Sequence, residues 1–385
     1  MTTTTVAPAE APTPAAPPAT RPVPERIRIG GLGPDLVLHV GVALSGAISL
    51  AWLLYERMLP TSGTIGFWIF AYALFLILLV AASSTTLDRL GVIDRLVGAL
   101  VATAGLVMVS ALVGIVVFTF VHGKDALAHT NFFKDTMAYS GPDAALDQGG
   151  IYAAMVGTLE QVAISVVVSV PLGLATAVYL SEVRGRLARV VRVVVQAMTA
   201  VPTIVAGLFI YSLVILQLGH GRSGLAAALA LSVSMVPVVI TTAEVVLRLV
   251  PNGLREASLA LGTTQWQTVW RVVLPTARPG LVTAVLLGVA RIIGETSPVL
   301  LVAGSTNELN YDPRHGPQLS LPLFVFNGLR TPIDVAITRA FGAGVVLLAL
   351  VVLFFALARI IGGRTPGRLS RRQQRRLARR LGAPT

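Results

Sequence analysis

Residues 224–275 read GLAAALALSVSMVPVVITTAEVVLRLVPNGLREASLALGTTQWQTVWRVVLP. The first half, as far as 247, is apolar for long enough to cross a bilayer core, which takes about 20 residues. The second half, 251–275, is too polar to follow it and has to stay at the membrane surface. Seven further apolar stretches surround this pair, at 36–55, 65–82, 96–121, 153–181, 190–217, 279–304 and 337–360. Hydrophobic residues make up 54% of the chain and charged ones 12%, against about 25% charged in a soluble globular protein. Mean hydropathy is +0.77. Such a chain cannot cover its own surface with polar groups, so lipid is its solvent. The fold class that follows is an all-α integral membrane protein with eight transmembrane helices.

Orientation follows from the basic residues. With both termini in the cytoplasm, Arg184, Arg186, Arg189, Arg192, Arg248, Arg255, Arg271, Arg278 and the C-terminal arginines all lie inside. The outer segments keep only Arg57, Lys124, Lys134, Arg222, Arg314, Arg330 and Arg339. That asymmetry is the positive-inside pattern of a protein in the cytoplasmic (inner) membrane. The net charge of +12 therefore reports topology rather than nucleic-acid binding, since no folded basic domain accompanies it. The run RRQQRRLARR at 371–380 suits anionic headgroups. Residues 1–30 are dominated by Thr, Ala and Pro and read as a disordered cytoplasmic N-terminus. An accessory two-helix hairpin is expected over 31–95, a functional core over 96–362 and a basic cytoplasmic tail over 363–385.

The surface segment has readable physics. Pro251 and Asn252 start a short helix, with Asn252 as its N-cap. Glu256 is expected in the first turn, where a carboxylate complements the helix dipole. Gly262 ends the helix by permitting a left-handed backbone. Thr264 and Gln267 have capping-box spacing and start a second helix, which Leu274-Pro275 is expected to stop. Leu259, Leu261, Trp266, Val269 and Trp270 leave an apolar side for a partner to cover.

This segment resembles the coupling motif of ATP-binding-cassette import permeases. Glu256 and Ala257 open the motif, Ser258 stands where the family has Ala, Gly262 follows the Glu by six residues, and Leu274-Pro275 close it. Five stretches are similar to phosphate-importer permeases: GGIYAAMVGTL (149–159), VPLGLATAVYLSE (170–182), VPTIVAGLFIYSLVI (201–215), REASLALGTTQWQ (255–267) and ARIIGETSPVL (290–300). The likeness runs in order through about 97–361 and is best over 150–361. It implies a six-helix type-I importer permease core behind the N-terminal hairpin, with 251–275 as cytoplasmic coupling helices. It further implies a second homologous permease subunit, two ATPase subunits that bind ATP and Mg, and an external phosphate-binding protein. Inorganic phosphate would cross by alternating access. A permease for molybdate, sulfate or phosphonate stays open, as does a secondary transporter that needs no ATPase.

Arg291 and Glu295 fall within the seventh span, where each is costly against lipid. Their spacing puts them on one helix face, either lining an anion path or locking two helices as an ion pair. Arg291 offers a planar donor set suited to phosphate oxygens. Thr296 is the adjacent candidate. Glu244 and Glu160 are secondary intramembrane candidates: Glu244 precedes Arg248 by four residues, and Glu160 sits near the outer end of its span. Pro171, Pro202 and Pro237 are expected to interrupt the fourth, fifth and sixth spans. The loops 122–150 and 305–335 are candidates to receive a binding protein.

Other chemistry is excluded by what the sequence lacks. There is no cysteine, and five histidines without HExxH spacing make a metal site unexpected. No GxxxxGK[ST] loop occurs, and the only lysines, Lys124 and Lys134, lie in one outer loop. The chain is expected not to be an enzyme.

Overall fold

The computed structural model describes residues 34–58, 63–183 and 185–362. The expected N-terminal disorder and the basic tail lie outside the described residues. The chain divides into two compact units, 1–110 and 111–385. The division falls inside α3 (Arg89–Leu127), whose 39 residues span roughly 58 Å at 1.5 Å per residue.

In the first unit, α1 (Pro34–Ala51) packs against α2 (Thr64–Ser84). A stripe of buried Ala43, Ala47 and Ala51 lets the two backbones approach. Close approach of small residues is what holds helices together in lipid, where the hydrophobic effect gives no help. Arg95 reaches His39, and also Ser83 Oγ at 3.5 Å.

The second unit continues with a short α4 (Asn131–Lys134) and then a central pair, α5 (Tyr152–Glu182) and α8 (Gly224–Arg248). Small residues face each other along it. Ser165 Oγ donates to Ala228 O at 2.9 Å, and a methyl at Gly173 would meet Val239 Cγ1 at 2.8 Å. Ala226, Ala227, Ala228, Ala230 and Ala243 are fully buried. Around this pair pack α11 (Leu274–Ile293), α12 (Ser297–Val302) and the long α14 (Asp334–Gly362). Val162, Leu231, Met235, Val239, Ile292 and Val299 form the centre. A second cluster of Phe132, Ile151, Leu319, Leu321 and Ala343 closes the end where α5 begins, beneath α13 (Leu321–Arg330). Arg339, assigned to an outer segment from sequence, is 1% exposed. Its Nη2 donates to Ala144, Ala145 and Gln148 carbonyls at 2.7, 2.6 and 2.9 Å, folding that loop onto α14.

Seven described helices are long and apolar enough to span, and one bent pair makes an eighth only if it counts as a single crossing. That pair corrects the fifth predicted span. α6 (Arg186–Ala200) and α7 (Thr203–Ile210), the latter continued by a π-helical turn Tyr211–Gln217, meet at 103°. Pro202 causes the break: its ring pushes Val201 to an extended ψ of 127°. Pro171 and Pro237 interrupt nothing, for α5 and α8 are continuous through them. Neighbouring helices satisfy the freed carbonyls of such prolines in membrane bundles.

The seventh span is also shorter than expected. α11 ends at Ile293, and Gly294–Thr296 are not helical. Pro298 has no N–H to give the Gly294 carbonyl, and its ring collides with that carbonyl in a continuous helix.

Candidate functional site

The surface segment folds as two short helices, α9 (Asn252–Ala260) and α10 (Gln265–Thr268). Gly262 sits between them with φ +81°, in the left-handed region. Thr264 and Gln267 form the capping box in both directions. Three details differ from the sequence expectation. Pro251, not Asn252, holds the N-cap position, and no side chain caps that end. Glu256 lies beyond the first turn. Leu274-Pro275 does not stop the second helix, which runs on through the π-helical turn Val269–Val273 into α11. The wider π turn holds Arg271, the residue whose carbonyl Pro275 would obstruct in a regular α-helix.

Ser258 gains a role from this geometry. Its hydroxyl lies 2.8 Å from Thr263 Oγ1 and 3.0 Å from Thr268 Oγ1, and those two are 3.0 Å apart. The three hydroxyls pin α9 against α10; alanine would lose the two Ser258 hydroxyl contacts and keep only the Thr263 Oγ1 bond to Ser258 O at 2.8 Å and its contact with Thr268. Glu256 and Ala257 are exposed on the outer side of α9, while Leu274 is half-buried and Pro275 exposed. Val269 is buried, but Leu259, Leu261, Trp266 and Trp270 stay 48%, 86%, 65% and 56% exposed. The Trp266 and Trp270 rings meet edge to face at 5.7 Å. A large apolar patch of this kind marks a contact surface.

Polar ties join α9 and α10 to the bundle. Arg255 Nη1 lies 2.5 Å from Glu182 Oε1, and its Nη2 donates to Leu247 O at 2.9 Å. Gln265 Nε2 donates to Glu182 O at 3.2 Å. The last residue of α5 thus holds both surface helices. Nearby, the Glu244 carboxylate accepts from Arg248 at 2.6 Å and from Arg192 at 2.8 Å. Arg255, Glu182, Gln265 and Arg192 were not singled out in the sequence. Their partners lie 52 to 83 residues away, beyond the reach of local spacing.

At the opposite end of α11, the break separates Arg291 from Glu295. Arg291 occupies the last helical turn and is exposed. A cation there complements the helix dipole. Glu295 follows the break, its N–H bonded to Ile292 O at 3.1 Å. The two therefore do not share a helix face, and among the described residues they form no ion pair. Glu295 instead lines a narrow crevice with Thr158, Gln161 and Ser320. Ser320 Oγ is buried there without a hydrogen-bond partner among the described residues. Thr296 is half-buried at the N-cap position of α12, where its side chain makes no capping bond.

Glu160 has a protein partner. It accepts from Gln318 Nε2 at 2.5 Å, while Gln161 Nε2 donates to Gln318 Oε1 at 3.2 Å. Gln318 is 1% exposed and comes from the loop before α13. That loop is itself ordered by polar bonds: Asn310 Nδ2 donates to His315 O at 2.8 Å. The His315 ring, donating to Asp312 Oδ2 at 2.8 Å, holds that carboxylate below its ordinary range.

The family of binding-protein-dependent transport system inner membrane components matches this chain over residues 169–366. The phosphate transport system permease protein PstA 1 of Mycobacterium tuberculosis CDC 1551 is 47% identical over 204 residues, 53% of this chain and 67% of its own. PstA of Pasteurella multocida is 34% identical over 248 residues, 64% of this chain and 86% of its own. An inward-facing structure of the MetNI methionine ABC transporter aligns with 55% of this chain and 93% of its own at 23% identity, with a TM-score of 0.44. The chain belongs to the family of binding-protein-dependent transport inner membrane permeases, in its PstA group.

Proposed function

We propose that this chain is the membrane-spanning subunit of an importer that carries inorganic phosphate across the cytoplasmic membrane, driven by ATPase subunits on separate chains. The observation that carries the coupling half is the α9–α10 pair. It offers an exposed Leu and Trp face to a partner while Arg255 and Gln265 tie it to α5. The phosphate half is supported by relatives named as phosphate transport permeases at 34% to 47% identity.

In this reading both termini and the α9–α10 pair are cytoplasmic. ATP and Mg sit on two ATPase partners, whose closure pushes α9 and α10. The push reaches the end of α5 through Glu182 and enters α11 directly, because α10 and α11 are one helical run. A second homologous permease completes the path, and an external phosphate-binding protein delivers substrate to the outer loops. Arg291, at the exposed end of α11, offers its guanidinium fork to the phosphate oxygens. Glu295 and Thr296 lie just past the helix break and supply an acceptor and a hydroxyl. Glu295 can accept a hydrogen bond from a protonated phosphate, which fully ionised sulfate cannot donate.

The test is phosphate uptake in cells lacking this chain, complemented with the wild type. Restored phosphate uptake is expected. Restoration of another oxyanion instead would keep the permease and remove phosphate. Uptake that persists when no ATPase co-purifies would remove the coupling role as well.

A further inference from the structure

A second polar cavity lies at the α9 end of the bundle, well away from Arg291. It measures about 490 Å³ and is walled by the end of α5, the start of α6, the end of α8 and the side of α9. That size is within the roughly 300–1,000 Å³ of ligand-binding pockets. Arg189, Arg192, Arg248 and Arg255 line it, with Ser181 and Asn252. Among the described residues these four guanidinium groups are answered by two carboxylates, Glu244 and Glu182.

Part of this charge has a structural use. Arg192 Nη2 donates to Leu180 O at 3.2 Å and Arg255 Nη2 to Leu247 O, so each caps a helix end. That use does not exhaust the donors. The Nε atoms of Arg192 and Arg255 are buried without an acceptor among the described residues. A buried N–H left unpaired keeps its desolvation penalty uncompensated. Arg189 is exposed and makes no ion pair among the described residues. The cavity therefore holds unbalanced positive charge on several elements at once.

We infer that this cavity is a binding site for a phosphate group, distinct from the translocation path. A tetrahedral phosphate presents enough oxygens to engage several guanidinium forks together, whereas a carboxylate has only two. In the proposed orientation the cavity opens at the cytoplasmic face. Its phosphate comes either from free inorganic phosphate or from the headgroup of an inner-leaflet phospholipid. An occupant would bridge α6 to α9, the helix proposed to receive the ATPase stroke.

The full-length chain, reconstituted in phosphatidylcholine nanodiscs, distinguishes the sources. Inorganic phosphate binding is measured by calorimetry in an Arg291→Ala background, which removes the proposed path ligand. Retention of phosphatidylglycerol is measured on discs doped with that lipid. Arg189→Ala tests the cavity without disturbing a described contact, and Arg255→Gln tests it by removing a second lining charge. Phosphate binding that weakens at least tenfold in Arg189→Ala assigns the site to free phosphate. Phosphatidylglycerol retained by the wild type and lost in Arg189→Ala assigns it to a lipid headgroup. If neither variant changes either ligand, the inference fails. It also fails if acidic residues of an ATPase partner prove to fill the cavity in the assembled complex. The readout is binding, so it stands whatever anion the transporter carries.

Discussion

Arg255 on α9 holds the Glu182 carboxylate at the end of α5 at 2.5 Å, across 73 residues of sequence. The two side chains are 19% and 12% exposed, so this is a partly desolvated, hydrogen-bonded pair rather than a surface one. Removing either partner leaves a charge in that environment, at a cost of about 1.5–3 kcal/mol. Arg255→Ala and Glu182→Ala are each expected to lower phosphate uptake while the complex still hydrolyses ATP, because the stroke no longer reaches α5. The double variant should fall short of the sum of the singles by about 0.5–3 kcal/mol in unfolding experiments. Additive losses would mean that the pair carries no load.

Gly262 gives a second handle on the same element. Its φ of +81° is the left-handed region, and a methyl there would touch nothing within 4 Å. Any effect of substitution is thus backbone strain alone, about 1–2 kcal/mol for a residue with a Cβ. Asparagine tolerates this region better than alanine, and valine tolerates it least. Uptake is expected to fall in the order Gly, Asn, Ala, Val at equal membrane abundance. A different order, with bulk deciding, would point to a partner packed against the glycine.

The helix pair was legible in sequence because its determinants are local. The Thr264–Gln267 box and the left-handed Gly262 depend on residues within a few positions. The ends were less legible, since Pro275 looked like a stop and the π turn before it was invisible to composition. The break between α6 and α7 was expected at Pro202, but its 103° size was not. Past Arg192, residues 193–217 carry no charge, so hydropathy reports one span where Pro202 makes two arms. Pro171 and Pro237 carry the same local signal, and only tertiary packing tells them apart from Pro202. Glu295 left the face of Arg291 because Pro298, three residues later, denies the helix its next turn. The Arg255–Glu182 and Gln318–Glu160 ties join residues 73 and 158 apart, and no pattern in a single chain marks such pairs.

Gly224 and Gln318 test the far end of the bundle. A methyl at Gly224 would sit 1.9 Å from Gln318 Oε1, so Gly224→Ala must displace that side chain and with it the bonds to Glu160 and Gln161. Overpacking of this kind costs about 1–3 kcal/mol, read as a lower melting temperature in detergent. Gln318→Ala should also destabilise, through its lost hydrogen bonds. Combined, the two should cost less than their sum, because truncating Gln318 makes room for the methyl. Simple additivity would show that the glutamine moves aside freely.

Arg291 separates a path role from a structural one. A helix-locking ion pair would need an acid within reach, and Glu295 sits beyond the end of α11 with no such contact in the described residues. Arg291 is also exposed, so its loss leaves no cavity. Arg291→Ala is therefore expected to keep the protein at wild-type abundance and melting temperature while lowering phosphate uptake at least tenfold. Arg291→Lys keeps the charge but not the planar fork, and should recover only part of the uptake. Glu295→Gln should narrow the preference for phosphate over sulfate, since the amide's acceptor is weaker than a carboxylate. Unchanged selectivity would remove Glu295 from anion recognition. A fall in abundance for Arg291→Ala that matches the fall in uptake would return Arg291 to a purely structural part.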